Sequence, residues 1–155
     1  MGMHKNLIFI FSLMCSPVII AAGPAINEIN SCLALVDFVD IKLDESSDQY
    51  DAGDMVRIHK GLSAYSEFLQ HDIITPKLLS MYGGNSDRAE LMQRLFERQR
   101  KSFFRHLNER YTQKKLLTDY ASAINDCSGK TRLSVAVAEA LKTALDNMEM
   151  LAMQK

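Results

Sequence analysis

The sequence predicts an all-α protein, a compact bundle of four to five helices packed around one core and tied by one disulfide. Three observations carry that expectation. Apolar residues return at intervals of three and four along most of the chain, with no sustained alternation of period two. Ser, Thr, Asp, Gly and Pro punctuate those stripes at helix-length intervals. Two cysteines, Cys32 and Cys127, stand near the two ends of the striped segment.

The chain opens on a different pattern. Residues 1–6 are short and polar, with Lys5 their only strong positive charge. Residues 7–20 are almost wholly apolar, and Ala21, Ala22 and Gly23 follow as small residues. A charged start, an apolar middle of this length and a small-residue exit make a secretory signal. We expect residues 1–22 to be removed and residues 23–155 to form a single helical domain. An uncleaved anchor is the alternative. A spanning helix needs about 20 apolar residues, and this stretch is shorter and holds Pro17. A lipoprotein signal would use Cys15, but Met14 before it is too bulky for that role. No later segment is apolar for long enough to span a bilayer, and no Asn-x-Ser/Thr sequon occurs. The expected location is the periplasm or the secreted space.

Roughly 130 residues would remain, enough for one domain with a buried core. Losing Lys5 takes the formal net charge from −1 to −2, so neither nucleic acid nor a membrane is the default partner. Cys15 leaves with the signal. Cys32 and Cys127 are then an even pair in an oxidising compartment, and a disulfide between them is expected. Closing so long a loop contributes at most about 4–5 kcal/mol in the chain-entropy account. Two buried free thiols, or bridges between the chains of a homodimer, are the alternatives. Neither cysteine has a neighbouring His to activate it as a nucleophile.

The elements follow in order. A first helix is expected over residues 24–43, with Pro24 in its first turn. Ile26, Ile29, Leu33, Val36 and Leu43 form its apolar face, and Glu28, Asp37, Asp40 and Lys42 its wet side. Residues 44–54 form an acidic loop with five carboxylates and no base. Asp48, Asp51 and Asp54 are spaced by three, which does not match the alternate-residue ligands of a calcium loop. Asp54 is instead expected to cap a second helix over residues 54–71. There Met55, Ile58, Leu62, Tyr65 and Leu69 form the stripe and Phe68 widens it, while Gly61 weakens the helix by roughly 1 kcal/mol relative to Ala. Thr75-Pro76 reads as a cap and first turn of a short helix that stops at Gly83-Gly84. Ser86 opens the longest stretch, with Leu91, Met92, Leu95, Phe96, Phe103, Leu107 and Tyr111 as its stripe and a bend near Thr112. Leu117, Tyr120 and Ile124 continue it to Cys127, and Ser128-Gly129 ends it. Thr131 is expected to cap a last helix whose face is Leu133, Val137, Leu141, Leu145, Met148 and Leu151.

The most distinctive chemical feature is electrostatic. Arg94, Arg98, Lys101 and Arg105 are spaced by four, three and four, so they line one face of the long helix. Arg100, Arg110, Lys114 and Lys115 add to them, opposed only by Glu97 and Glu109. Arginine offers planar, multi-donor contacts to carboxylates and is enriched in binding hot spots. These four residues are the candidate partner-binding face, for a protein with an acidic surface. Their alternative role is internal, against the acidic loop or in solvent. Nucleic acid is not expected, since no aromatic stacking platform accompanies the charges.

Catalytic and metal motifs are missing from the sequence. His59, His71 and His106 form no His-Glu-x-x-His arrangement. Gly61-Leu62-Ser63-Ala64-Tyr65 lacks the second glycine of a nucleophile elbow, and no phosphate-binding glycine loop occurs. The methionines are not dense enough for copper handling and read as core. No cofactor or metal is therefore expected. A small helical cell-wall enzyme would have to draw on Glu28, Glu67, Glu90 or Glu97, since a carboxylate pair is defined by folded distances.

One Cys in the first helix, at Asn30-Ser31-Cys32-Leu33, and one late in the chain, at Asp126-Cys127, complete an exported, helical layout. That layout resembles the helical periplasmic immunity proteins that neutralise wall-degrading toxins of type VI secretion. The resemblance is of layout and carries no functional residue across. It implies a protein-binding domain that is an inhibitor or immunity protein rather than an enzyme. The alternatives are an accessory or structural subunit of an envelope or secretion machine, and the small enzyme.

Overall fold

The helix α1 (Ile26–Asp44) is the element around which the others are arranged. In the computed structural model, which describes residues 25–154, it packs against α2 (Ala52–Glu67), α4 (Ser86–Glu109) and α5 (Asp119–Ser128). The last helix, α6 (Val135–Met153), lies along α2. Between α2 and the short α3 (Thr75–Met81) runs a π-helical segment, Phe68–Ile74. The fold is thus an all-α bundle, with no strand among the described residues. The expected signal, residues 1–22, and Pro24 lie outside the described residues.

Burial explains the central place of α1. Ile29, Cys32, Leu33, Ala34, Leu35, Val36, Phe38, Val39 and Leu43 are all buried, on more than one face. The expected wet side is correspondingly narrow: Asp37, Asp40 and Lys42 are only half-exposed because α2 and α4 close over them. The α2 stripe is as expected, with Met55, Ile58, Leu62, Tyr65, Phe68 and Leu69 all buried. On α6, Leu141, Met148 and Leu151 are buried and Val137 and Leu145 are packed partly against the same core, as is Leu133 just before the helix.

The helices α2 and α6 approach closely at Gly61. A Cβ there would come within 2.3 Å of the Ala140 carbonyl oxygen and 2.5 Å of the Ala144 methyl. The glycine that weakens α2 as an isolated helix is what lets α6 approach its backbone.

Several caps differ from expectation. The α2 N-cap is Asp51, whose carboxylate accepts from the backbone N–H groups of Gly53 and Asp54, while Asp54 is buried in the first turn beside Arg57. Asn85 caps α4 through a bond from the Arg88 N–H, and Ser134 rather than Thr131 caps α6. Thr75 is not a cap at all. It is fully helical, and its N–H donates to the Gln70 carbonyl five residues back. Pro76 has no N–H to donate and its ring crowds the preceding turn. The wider π-helical turn takes that crowding without breaking the helix, so the chain is helical from Ala52 to Met81. At its end, Gly83 and Gly84 adopt φ of 61° and 81°. Their N–H groups return to the Ser80 and Leu79 carbonyls, the paired closure that only a left-handed turn allows. The expected bend also appears: α4 ends at Glu109, and Thr112 is extended.

Cys32 and Cys127 are joined in a disulfide with Cα atoms 5.8 Å apart, tying α1 to the end of α5 across 95 residues of sequence.

Candidate functional site

The long helix α4 is the least buried of the major helices. Of its 24 residues only Phe96 is buried. Leu91 and Leu95, expected to face the core, are 60% and 41% exposed. Spacing alone defines a stripe but not what covers it, and at this end of α4 the short α3 packs alongside while Ala89 and Met92 face the core, which leaves Leu91 and Leu95 only partly covered.

Two devices hold α4 to α1. Asn30 is 1% exposed, and its Nδ2 donates to the Phe96 carbonyl at 3.0 Å. Farther along, the Phe38 ring meets Phe104, Tyr111 and Tyr120 at centroid distances of 5.1, 5.7 and 5.6 Å. The first two are edge-to-face, a geometry that adds about 0.5–1.5 kcal/mol beyond the area buried, and the third is tilted.

That seating sends the predicted basic face outward. Arg94, Arg98, Lys101 and Arg105 are all exposed. Arg94 pairs with Glu90 one turn back at 2.5 Å. Arg98, Lys101 and Arg105 form no ion pair with any described residue. The acidic loop of residues 44–54 does not neutralise the stripe, because it contacts the chain after α4 instead, where Gln113 donates to Gln49 at 2.8 Å.

Lys101 also borders a groove of about 720 Å³ between α1, the π-helical segment and α4. Ala34, Ile41 and Phe104 supply its apolar lining, and Ile41 is 45% exposed. A polar chain crosses its base. Ser66 donates to Asp37 Oδ1 at 2.7 Å. The other Asp37 oxygen lies 3.8 Å from Nη1 of Arg100, beyond hydrogen-bond distance. Arg100 donates through Nη2 to Gln70 at 3.0 Å, and Gln70 donates onward to the Thr75 hydroxyl. Arg100 Nε is buried and finds no partner among the described residues. Burial pushes the Asp37 carboxyl above its ordinary pKa of 3.8, against the Ser66 hydrogen bond and the Arg100 charge, which pull it down. The π-helical turn is what places Gln70 and His71 on this groove, and such turns recur at functional sites.

Glu28 pairs with Lys130, and Glu90 with Arg94, while Glu97 lines the groove and Glu67 is exposed. His59 meets Asp40 at 2.6 Å between α2 and α1, and exposed His106 faces Glu109. Among the described residues no group of three or more His, Cys, Asp or Glu is placed to hold a metal ion. No described helix is long and apolar enough to cross a membrane.

The structure therefore gathers the four predicted cations on one exposed face and brings one of them to a groove that sequence reading missed. One signal of the groove was present. Arg100 falls four residues after Phe96 and four before Phe104, so it occupies a position in the inward stripe. No family model, curated protein or solved structure matches the chain.

Proposed function

We propose that the chain is an exported protein-binding domain, of the inhibitor or immunity kind, that blocks a cell-wall-degrading enzyme by docking α4 against an acidic surface. One observation carries the reading: a helix of 24 residues buries a single side chain and turns Arg94, Arg98, Lys101 and Arg105 outward. Most of the stability of a surface helix comes from packing its apolar face. A long helix that packs so little, and presents arginines at the spacing of one face, has the composition of a contact surface. Leu91 and Leu95 supply the apolar component that a purely solvating helix would lack. The location outside the cytoplasm rests on the character of residues 1–22 alone.

A second reading is favoured by those same two leucines. As an accessory subunit of an envelope or secretion machine, the chain would pair the start of α4 with a partner's helix through Leu91 and Leu95.

Affinity capture on envelope extract tests both. The exported chain, with its disulfide formed, is compared with a variant carrying Arg94→Glu, Arg98→Glu and Arg105→Glu. The inhibitor reading expects one stoichiometric partner, released by salt, lost in the variant and inhibited in a peptidoglycan-hydrolysis assay. A partner that ignores the charge reversal but is lost with Leu91→Ser and Leu95→Ser supports the accessory subunit. Retention of no partner by the parent chain, from extract containing wall hydrolases, overturns both.

A further inference from the structure

We infer that the groove between α1, the π-helical segment and α4 receives an acidic segment of the partner protein, carrying one apolar side chain flanked by carboxylates. The inference rests on the protein-binding reading above and specifies where on the partner the recognition is made.

Arg100 lines this groove. Its side chain is 19% exposed, so much of the charge has left water. A buried charge is tolerated when an opposite charge and full hydrogen bonding compensate it. Here compensation is incomplete. Asp37 stands at 3.8 Å and is already bonded to Ser66, Nη2 is matched by a neutral amide, and Nε is unpartnered among the described residues. A carboxylate entering the groove meets an arginine whose desolvation has been met by the fold, with little further cost on that side. Lys101 stands on the same rim, without an ion pair to any described residue, and Arg98 lies one turn back along α4. Glu97 is the one rim carboxylate against them.

The rest of the groove asks for something other than charge. Ile41 is 45% exposed on a helix that is otherwise the most buried in the fold, and it shares the groove lining with Phe104 and Ala34. Covering such a surface stabilises a complex by roughly 25 cal/mol per Å² of apolar area removed from water. A small inorganic anion would leave the lining bare, and an uncharged apolar chain would leave Arg100 and Lys101 unmatched. An acidic segment with an apolar anchor satisfies both, and the outward stripe of Arg94, Arg98 and Arg105 steers it by charge.

The probe is a blocked pentapeptide, acetyl-Glu-Leu-Glu-Phe-Glu-amide, titrated into the full exported chain and followed by methyl and arginine side-chain NMR. Its control is the isosteric Gln-Leu-Gln-Phe-Gln peptide. The acidic peptide is expected to shift the Ile41 methyl and Arg100 Nε–H signals, and the amide control to bind about tenfold more weakly, one charge-assisted hydrogen bond's worth. Ile41→Glu and Lys101→Glu, both at exposed positions, should each abolish the shifts and leave the thermal unfolding midpoint in place. Equal binding of the two peptides overturns the inference. So do shifts confined to the outer face of α4, and so does the lack of any shift at millimolar peptide. The captured partner separates this inference from the one beneath it. A partner lost on reversing Arg94, Arg98 and Arg105, yet held at full affinity by Ile41→Glu, keeps the protein-binding function and removes the groove from it.

Discussion

The α2–α6 seam and the α4 helix are built on opposite plans from similar apolar spacing. At the seam, Gly61 brings two backbones together against Ala140 and Ala144, and Ile58, Leu62, Tyr65 and Met148 are wholly buried. Along α4, one buried phenylalanine, partly buried side chains such as Met92 and Leu107, the Asn30 and Arg100 hydrogen bonds and a ring cluster at its far end hold a helix of greater length. Stability is therefore concentrated in the packing of α1, α2 and α6. With so few buried side chains, the start of α4 is expected to open more readily than the seam, and ligand-binding elements are commonly drawn from such regions.

The disulfide offers the largest perturbation. Replacing Cys32 and Cys127 with Ser removes the tie between α1 and α5 across 95 residues. A loop near that length should cost up to about 4–5 kcal/mol in denaturant titration. Because neither cysteine is on α4, the variant that remains folded should keep its basic-face binding. Binding that falls in step with stability would mean that α4 is not energetically separate.

Core truncation sharpens the contrast directly. Leu62→Ala, at a wholly buried position, should cost about 2–5 kcal/mol. Leu95→Ala, at 41% exposure, should stay within about 0.5 kcal/mol. Equal costs would show that the surface of α4 is covered in solution, and would point to self-association.

Gly61→Ala sets two physical effects against each other. Helix propensity favours alanine by roughly 1 kcal/mol. The added methyl, however, meets a backbone carbonyl at 2.3 Å, and overpacking of that kind costs about 1–3 kcal/mol. A net loss is expected in thermal unfolding, with a larger one for Gly61→Val. A gain would mean that the Ala140 carbonyl stands farther from the Gly61 Cβ position than 2.3 Å.

What was legible in the sequence follows the same division. The α2 stripe, the glycine closure at Gly83-Gly84 and the break near Thr112 were readable because each is decided by neighbours within a turn or two. Gly61 was visible as a weak point, but the partner that requires it is about eighty residues away, beyond what local propensity reports. Thr75-Pro76 misled because a proline without an N–H fits the first turn of a new helix and a widened turn of a continuing one equally well. Leu91 and Leu95 misled because periodicity identifies a face and says nothing of its cover. The basic stripe could be read from spacing on one helix. The groove could not, since Asp37, Ser66, Gln70 and Arg100 come from three separate helical runs.

Asp37 supplies the smallest effect and tests the groove from inside. Its carboxyl is raised above 3.8, with desolvation the leading cause and the neighbouring Asp40 charge adding to it. Ser66 and Arg100 oppose the shift, while His59 is engaged with Asp40 rather than with Asp37. A carboxyl raised in the folded state contributes stability that is complete below its unfolded pKa and is lost as pH rises through its folded value. Asp37→Asn should therefore gain on the parent chain as pH rises from below the ordinary carboxyl pKa to above the raised folded-state one. Carboxyl NMR on the parent should find the Asp37 midpoint above the ordinary value. Ser66→Ala, which removes a bond to the charged form, should raise it further, and Arg100→Gln should do the same. A midpoint at or below the ordinary value carries the opposite meaning. Arg100 would then pair with Asp37 more closely than 3.8 Å, its charge would be met within the fold, and the groove would have no unmatched cation to offer a partner's carboxylate.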